Sequence, residues 1–116
     1  MREGSHRWTV RLTATAEADY RNILDWTMEQ FGDLQARVYA DTLSAALVAL
    51  AEGPTTVGVR ERAEISRGLF TLHVARDGRN GRHFVLFRVG PSAGGRHIEV
   101  LRLLHDAMDL KLHVDA

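Results

Sequence analysis

The stretch TATAEADYRNILDWTMEQFGDLQARVYADTLSAALVALAEGP, residues 13–54, decides the fold of this chain. Thr13 has the hydroxyl of a helix N-cap, and Glu17 and Asp19 follow where the helix dipole favours acids. Ala16, Tyr20, Ile23, Leu24, Thr27 and Phe31 recur at offsets of 4, 7, 8, 11 and 15, one apolar stripe on a helix of about four turns. Gly32 supplies a C′ residue, and Asp33 is expected to cap a second helix at once. Ala36, Tyr39, Leu43, Ala46, Leu47 and Leu50 make the second stripe, which Gly53-Pro54 ends. With Gly32-Asp33 alone between them, the two helices are expected to fold back as an antiparallel hairpin.

Outward from the hairpin the period changes. Upstream, Trp8, Val10 and Leu12 alternate with Arg7, Thr9 and Arg11, the pattern of a strand. Downstream, residues 53–67 show neither period and read as a loop. Phe70, Leu72 and Val74 then alternate with Thr71, His73 and Ala75, and Val85, Phe87 and Val89 with Phe84, Leu86 and Arg88. Between them, Asp77-Gly78-Arg79-Asn80-Gly81 has the residues that tolerate positive φ in a hairpin turn. A Gly-rich turn over 90–95 leads to a last strand, where Ile98, Val100 and Arg102 alternate with Glu99, Leu101 and Leu103. From His105 to Val114 the spacing suits one or two helical turns. The expected architecture is α+β: an N-terminal strand, an antiparallel helical hairpin packed on a mostly antiparallel sheet, and a short C-terminal helix. One domain over residues 1–116 accounts for the length, with residues 1–6 polar and assigned no function.

Composition narrows the classes. The 116 residues are 45% hydrophobic and 26% charged, ordinary values for a globular protein, with no run long enough for a membrane span and no leader pattern. Cysteine is absent, which removes disulfide scaffolds, thiol nucleophiles and cysteine-bound zinc, and a small cytoplasmic domain is the expectation. A net charge of zero hides an asymmetry. Residues 1–52 hold five Arg against eight acids, whereas residues 65–105 hold seven Arg (67, 76, 79, 82, 88, 96 and 102) against Asp77 and Glu99. Planar guanidinium groups bind carboxylates and phosphates in bidentate fashion, so an Arg-rich face suits an acidic partner or nucleic acid. Codon bias of a GC-rich genome explains a ratio of fourteen Arg to one Lys equally well, but not the asymmetry.

Tests for chemistry are mostly negative. No His pair shows zincin spacing, so no metal site is expected; His73 and His83 on adjacent strands are read as structural or surface residues that could face each other. No phosphate-cradling Gly motif or serine-nucleophile motif occurs, and no cofactor is implied. The acids of the first helix read as a solvated face. What remains is a surface: Arg67, Arg76, Arg82, Arg88 and Arg102 on or beside the strands, with Trp26 and Met28 off the main stripe as partly exposed anchors. For Trp26, capping the core at the hairpin edge is the alternative.

Those residues carry a resemblance. Leu12-Thr13-Ala14-Thr15-Ala16-Glu17-Ala18-Asp19, with Ile23-Leu24-Asp25-Trp26 and Phe31-Gly32, resembles the opening strand and helix of ParE toxins. Gln35-Ala36-Arg37-Val38-Tyr39 through Pro54 resembles their second helix and its exit. Arg67-Gly68-Leu69, Phe87-Arg88-Val89 and Ile98-Glu99-Val100-Leu101-Arg102-Leu103-Leu104-His105 resemble the later strands, and Asp106 to His113 the closing stretch. The chain is therefore identified as a member of the RelE/ParE superfamily, on the ParE side. That resemblance implies a type II toxin that inhibits DNA gyrase and is silenced by a ParD-like antitoxin. It further implies no sequence-specific nucleic-acid binding, no membrane and no catalytic residues. Trp26, Arg67, Arg76, Arg82, Arg88 and Arg102 are the expected antitoxin contacts. His105, Met108, Asp109 and Lys111 are the expected target contacts. The RelE branch instead cuts messenger RNA; for that alternative Arg88, Arg102, His105 and Lys111 are the candidates, since both tyrosines lie on the helices and no terminal tyrosine exists. The long basic hairpin over 76–82 and the Gly-rich turn depart from the family pattern, leaving open an altered contact or a non-toxic homologue.

Overall fold

The computed structural model describes residues 7–90 and 95–108. Strand β1 (Thr9–Leu12) leads into α1 (Ala14–Phe31), α2 (Asp33–Ala49) and a 3-10 turn over Leu50–Glu52. Four further strands follow: β2 (Arg60–Glu61), β3 (Leu69–His73), β4 (His83–Val89) and β5 (His97–His105). They form one five-stranded sheet in the order β1-β5-β4-β3-β2. Every pairing is antiparallel except that of β1 with β5, which runs parallel. Both helices lie on one face, so the α+β helical-hairpin architecture stands.

Thr13 caps α1 as expected: its hydroxyl accepts from the Ala16 amide at 3.1 Å and donates to the Leu101 carbonyl at 3.1 Å. A cap of this kind stabilises a helix by about 1 kcal/mol, and the second bond ties it to the sheet. The hairpin turn is tighter than expected. Gly32 alone, at φ 95°, closes α1 through its N–H to the Met28 carbonyl and opens α2 by accepting from Ala36. No extended residue remains for Asp33 to cap from; it is the first helical residue and pairs with Arg37 at 3.0 Å.

Ala16 from α1, Leu43, Ala46 and Leu50 from α2 and its exit, and Leu72, Val85, Phe87, Ile98 and Val100 from the sheet form the core. Trp8, Val10 and Leu12 pack against it on one side of β1, as their alternation predicts. Phe31 departs from its stripe: 65% exposed, it sits where the last turn of α1 overhangs the apolar surface. A β-bulge at Leu86/Phe87 breaks the alternation in β5, where Phe87 pairs with Val100 but Leu86 with Arg102. Leu103, not Arg102, therefore joins Ile98 and Val100 in the core. In the 53–67 segment, β2 adds a two-residue edge strand too short to show a period. Its neighbour Arg62 covers part of the sheet face away from the helices, with Nε on Thr71 at 2.8 Å and its guanidinium 5.2 Å from the Phe84 ring centre. At the hairpin, Asp77 and Gly78 both take positive φ, as that pair of residue types suggests. The helical turns expected from His105 to Val114 do not begin there: His105 closes β5 and residues 106–108 make a turn, while the rest of that stretch and most of the Gly-rich turn lie outside the described residues.

Candidate functional site

A cleft of about 800 Å³ opens between the overhanging helix ends and the β3–β4 loop. Its helix side is Ile23, Trp26, Phe31, Gln35 and Tyr39; its sheet side is Gly81, Arg82, His83 and His105. Helical spacing makes the first wall, because residues 23, 26 and 27 lie one turn apart on α1. Strand pairing makes the second, since His83 at the start of β4 is opposite His105 at the end of β5. Trp26 is 56% exposed and meets Phe31 edge-to-face, ring centres 5.8 Å apart. It is thus a wall of the cleft and not a lid on the core.

The floor is polar and ordered. The Arg82 amide donates to the Tyr39 hydroxyl at 3.0 Å, and that hydroxyl lies 2.7 Å from His83 Nδ1. We assign the hydroxyl proton to Nδ1, because the oxygen already accepts from the Arg82 amide and Nδ1 is the acceptor it meets; His83 then carries its hydrogen on Nε2. Burial beside a second imidazole, that of His105, lowers the His83 pKa to about 4. Burial likewise raises the Tyr39 phenol above its ordinary value. At His105, Nδ1 accepts from the Ala107 amide at 3.1 Å, which again leaves Nε2 as the donor. The two imidazoles stand edge to face, centres 5.3 Å apart.

Behind the cleft, Asp106 gathers His73 Nε2 at 3.0 Å and Arg82 Nε at 3.1 Å, and its amide donates to the Arg82 carbonyl. Hydrogen bonds from His73 and then Arg82 hold its carboxyl below the usual carboxylate range. His73 and His83 do not face each other: His73 is opposite Phe84 in the register and turns to Asp106. Among the described residues no cluster could hold a metal ion.

Of the residues expected on a basic face, Trp26 and Arg82 reach the cleft, and the rest disperse. Arg67 is exposed in the turn before β3. Arg76 pairs with Asp77 and bonds the Val57 carbonyl, beneath the loop that follows the helices. Arg88 is held by Glu99 across the strands at 2.7 Å. Arg102 leaves the sheet face altogether. Its Nε and terminal nitrogen bond Asp19 of α1 at 2.8 and 3.2 Å, and Asp19 also accepts from the Leu103 amide at 3.0 Å. Asp19 is accordingly a half-buried anchor at the sheet edge and not part of a solvated face. The ribonuclease candidates do not converge either, because His105 lines the cleft while Arg88 and Arg102 are engaged elsewhere. Met108 is exposed; Asp109 and Lys111 lie outside the described residues.

Sequence reasoning missed Tyr39 and His83 as site residues. The signal was present: a tyrosine within an apolar stripe needs a partner for its hydroxyl, and the strands offer few buried acceptors.

Comparisons with known proteins bear on the fold and the family. The family model for the ParE toxin of the type II toxin–antitoxin system parDE matches residues 10–110. Toxin ParE1 of Caulobacter vibrioides is 31% identical over 104 residues, covering 90% of this chain and 95% of the relative. Among solved structures, a chromosomal ParDE system from P. aeruginosa has a TM-score of 0.67 at 23% identity, over 86% of this chain and 97% of that one. The RelBE2 toxin–antitoxin complex of Mycobacterium tuberculosis has a TM-score of 0.56 at 22% identity, over 88% and 94%. At such identities these structures speak for the fold. The family match and the sequence relative speak for more: this chain belongs to the ParE toxins of type II toxin–antitoxin systems.

Proposed function

We propose that the chain is a toxin that acts by binding, stops replication through DNA gyrase, and is silenced by a ParD-like antitoxin whose helical segment occupies the cleft. The observation that carries this reading is the cleft itself. Its wall leaves Trp26 and Phe31 in water beside the half-buried Ile23, an arrangement that favours an apolar partner segment. Arginines that have carboxylate partners support binding over phosphoryl chemistry, since a phosphate would have to displace Glu99 from Arg88 and Asp19 from Arg102. Toxin–antitoxin assemblies among the structural neighbours support a protein partner for this fold.

The test is pulse labelling in bacteria just after induction without antitoxin. Thymidine incorporation is expected to fall before methionine incorporation, with a DNA-damage response. Co-expression of a ParD-like antitoxin should restore growth, the antitoxin should co-purify with the chain, and Trp26→Ala should weaken that capture. Protein synthesis collapsing first would replace gyrase with messenger RNA as the target. Undisturbed growth would overturn the toxin activity.

A further inference from the structure

We propose that the paired imidazoles of His83 and His105 make the cleft floor a recognition point for one carboxylate, so that the cleft takes an amphipathic helix bearing a single acidic side chain within its apolar stripe. This deepens the reading of the cleft as the antitoxin groove and rests on it.

The argument is one of hydrogen-bond inventory. Both Nδ1 lone pairs are taken, by the Tyr39 hydroxyl and by the Ala107 amide, so each imidazole offers a donor and no acceptor. An apolar side chain over these N–H groups would strip them of water without replacement. A carboxamide would bring an NH2 with no acceptor on either ring to meet it. A carboxylate accepts only, and both rings line the cleft with centres 5.3 Å apart, close enough for one acidic group to serve the two. No Asp or Glu lines the cleft; the Asp106 carboxylate lies 3.7 Å from His105 at Nδ1, not at Nε2, and is already bonded to His73 and Arg82. Arg82 adds positive charge at the rim: Nε is committed to Asp106, but the side chain is 68% exposed. A nucleic-acid phosphate has the same acceptor chemistry, but the aromatic and aliphatic wall opposite, with no free run of cations, favours a peptide.

The experiment selects binders from a phage-displayed library of helical peptides of about 20 residues, a length that spans about 30 Å. Selected peptides should share an apolar stripe interrupted by one Asp or Glu. Changing that acid to its amide should weaken binding to the wild-type protein about tenfold, or about 1.4 kcal/mol. On the His83→Leu/His105→Leu variant the same change should matter less than about twofold. His105→Leu alone leaves the Tyr39–His83 bond in place and should reduce the acid's advantage about threefold, which keeps the test open if the double variant does not fold. Trp26→Ala should weaken every selected peptide. Binders without an acid, an acid effect that survives loss of both imidazoles, or indifference to Trp26→Ala would each overturn the proposal. Displacement of the peptides by a single-stranded RNA, abolished by Arg82→Glu, would overturn it in favour of nucleic acid. Replication arrest and antitoxin rescue are scored separately. If they hold and the peptides fail, the carboxylate point falls alone; if they fail, the proposed function falls.

Discussion

Asp19→Ala removes the contact that fastens α1 to the far half of β5, and its cost can be worked out from the structure. The Asp19 carboxylate accepts from Arg102 Nε, from an Arg102 terminal nitrogen and from the Leu103 amide, at 2.8, 3.2 and 3.0 Å. Loss of an acceptor for a shielded backbone N–H costs about 1–2 kcal/mol. Stranding an enclosed charge costs about 3–5 kcal/mol, but Arg102 keeps 29% of its side-chain surface and can rehydrate. Solvent screening reduces that part to about 1 kcal/mol. The sum is about 2–3 kcal/mol, which lowers Tm by about 10–15 °C in a domain near this size. Asp19→Asn keeps one carbonyl oxygen for Leu103 and Arg102 Nε but loses the charge and the second acceptor, so it should cost about 1–2 kcal/mol, less than Asp19→Ala. Urea unfolding of Asp19→Ala, Arg102→Ala and the double variant closes a thermodynamic cycle, with an expected coupling of about 1 kcal/mol or more. Equal effects of Asp19→Ala and Asp19→Asn would refute the role given to the Leu103 amide. Additivity of Asp19→Ala and Arg102→Ala within about 0.3 kcal/mol would refute the ion pair.

Other perturbations test the cleft and the surface. His83 has its pKa lowered to about 4 from an ordinary 6.5, so the unfolded chain takes up the proton first as pH falls. Stability from this group is therefore complete above pH 6.5 and is lost down to about pH 4, by about 1–2 kcal/mol after allowance for screening at a half-open cleft. Denaturant titrations between these limits should show that slope in the wild type and a flatter one in His83→Gln. Gly81→Ala places a Cβ 2.5 Å from Val74 Cγ2 and 2.9 Å from the Tyr39 hydroxyl. It should destabilise by about 1–3 kcal/mol and shift the His83 ring resonances, as the Tyr39 bond is pushed aside. Arg88→Ala breaks an exposed pair with Glu99 and should cost under about 1 kcal/mol in the same unfolding assay.

The helical hairpin was legible because its signals are local: Thr13 caps, two stripes repeat at helical spacing, and Gly32 sits where the chain reverses. The strand segments were legible for the same reason, through Phe70-Leu72-Val74 and Val85-Phe87. What could not be read depends on partners distant in the chain. The bulge at Leu101 shifts the phase of β5 by one residue, and nothing in the run Ile98 to Leu104 marks it. Arg102 and Asp19 are separated by 83 positions, so their meeting is a property of packing and not of spacing. The same holds for Tyr39 and His83, 44 positions apart, which periodicity assigned to a stripe and a strand without bringing them together. Arginine counts point to a basic second half, but the structure pairs Arg76, Arg82, Arg88 and Arg102 with nearby and distant carboxylates.

The parallel union of β1 with β5 orders events in time. Thr9 pairs with His97 and Leu12 with Val100, so β1 finds its partner only after both helices and the three intervening strands have been made. Loop closure over so many residues is entropically slow compared with local hairpin formation. The helices and the β3–β4 hairpin can form early, yet the cleft floor waits for His105, and the Thr13 cap waits for Leu101 to accept its hydroxyl. Until β5 docks, a nascent chain lacks both the parallel pair and the cleft floor, so whatever depends on the cleft comes only after β5 has been made.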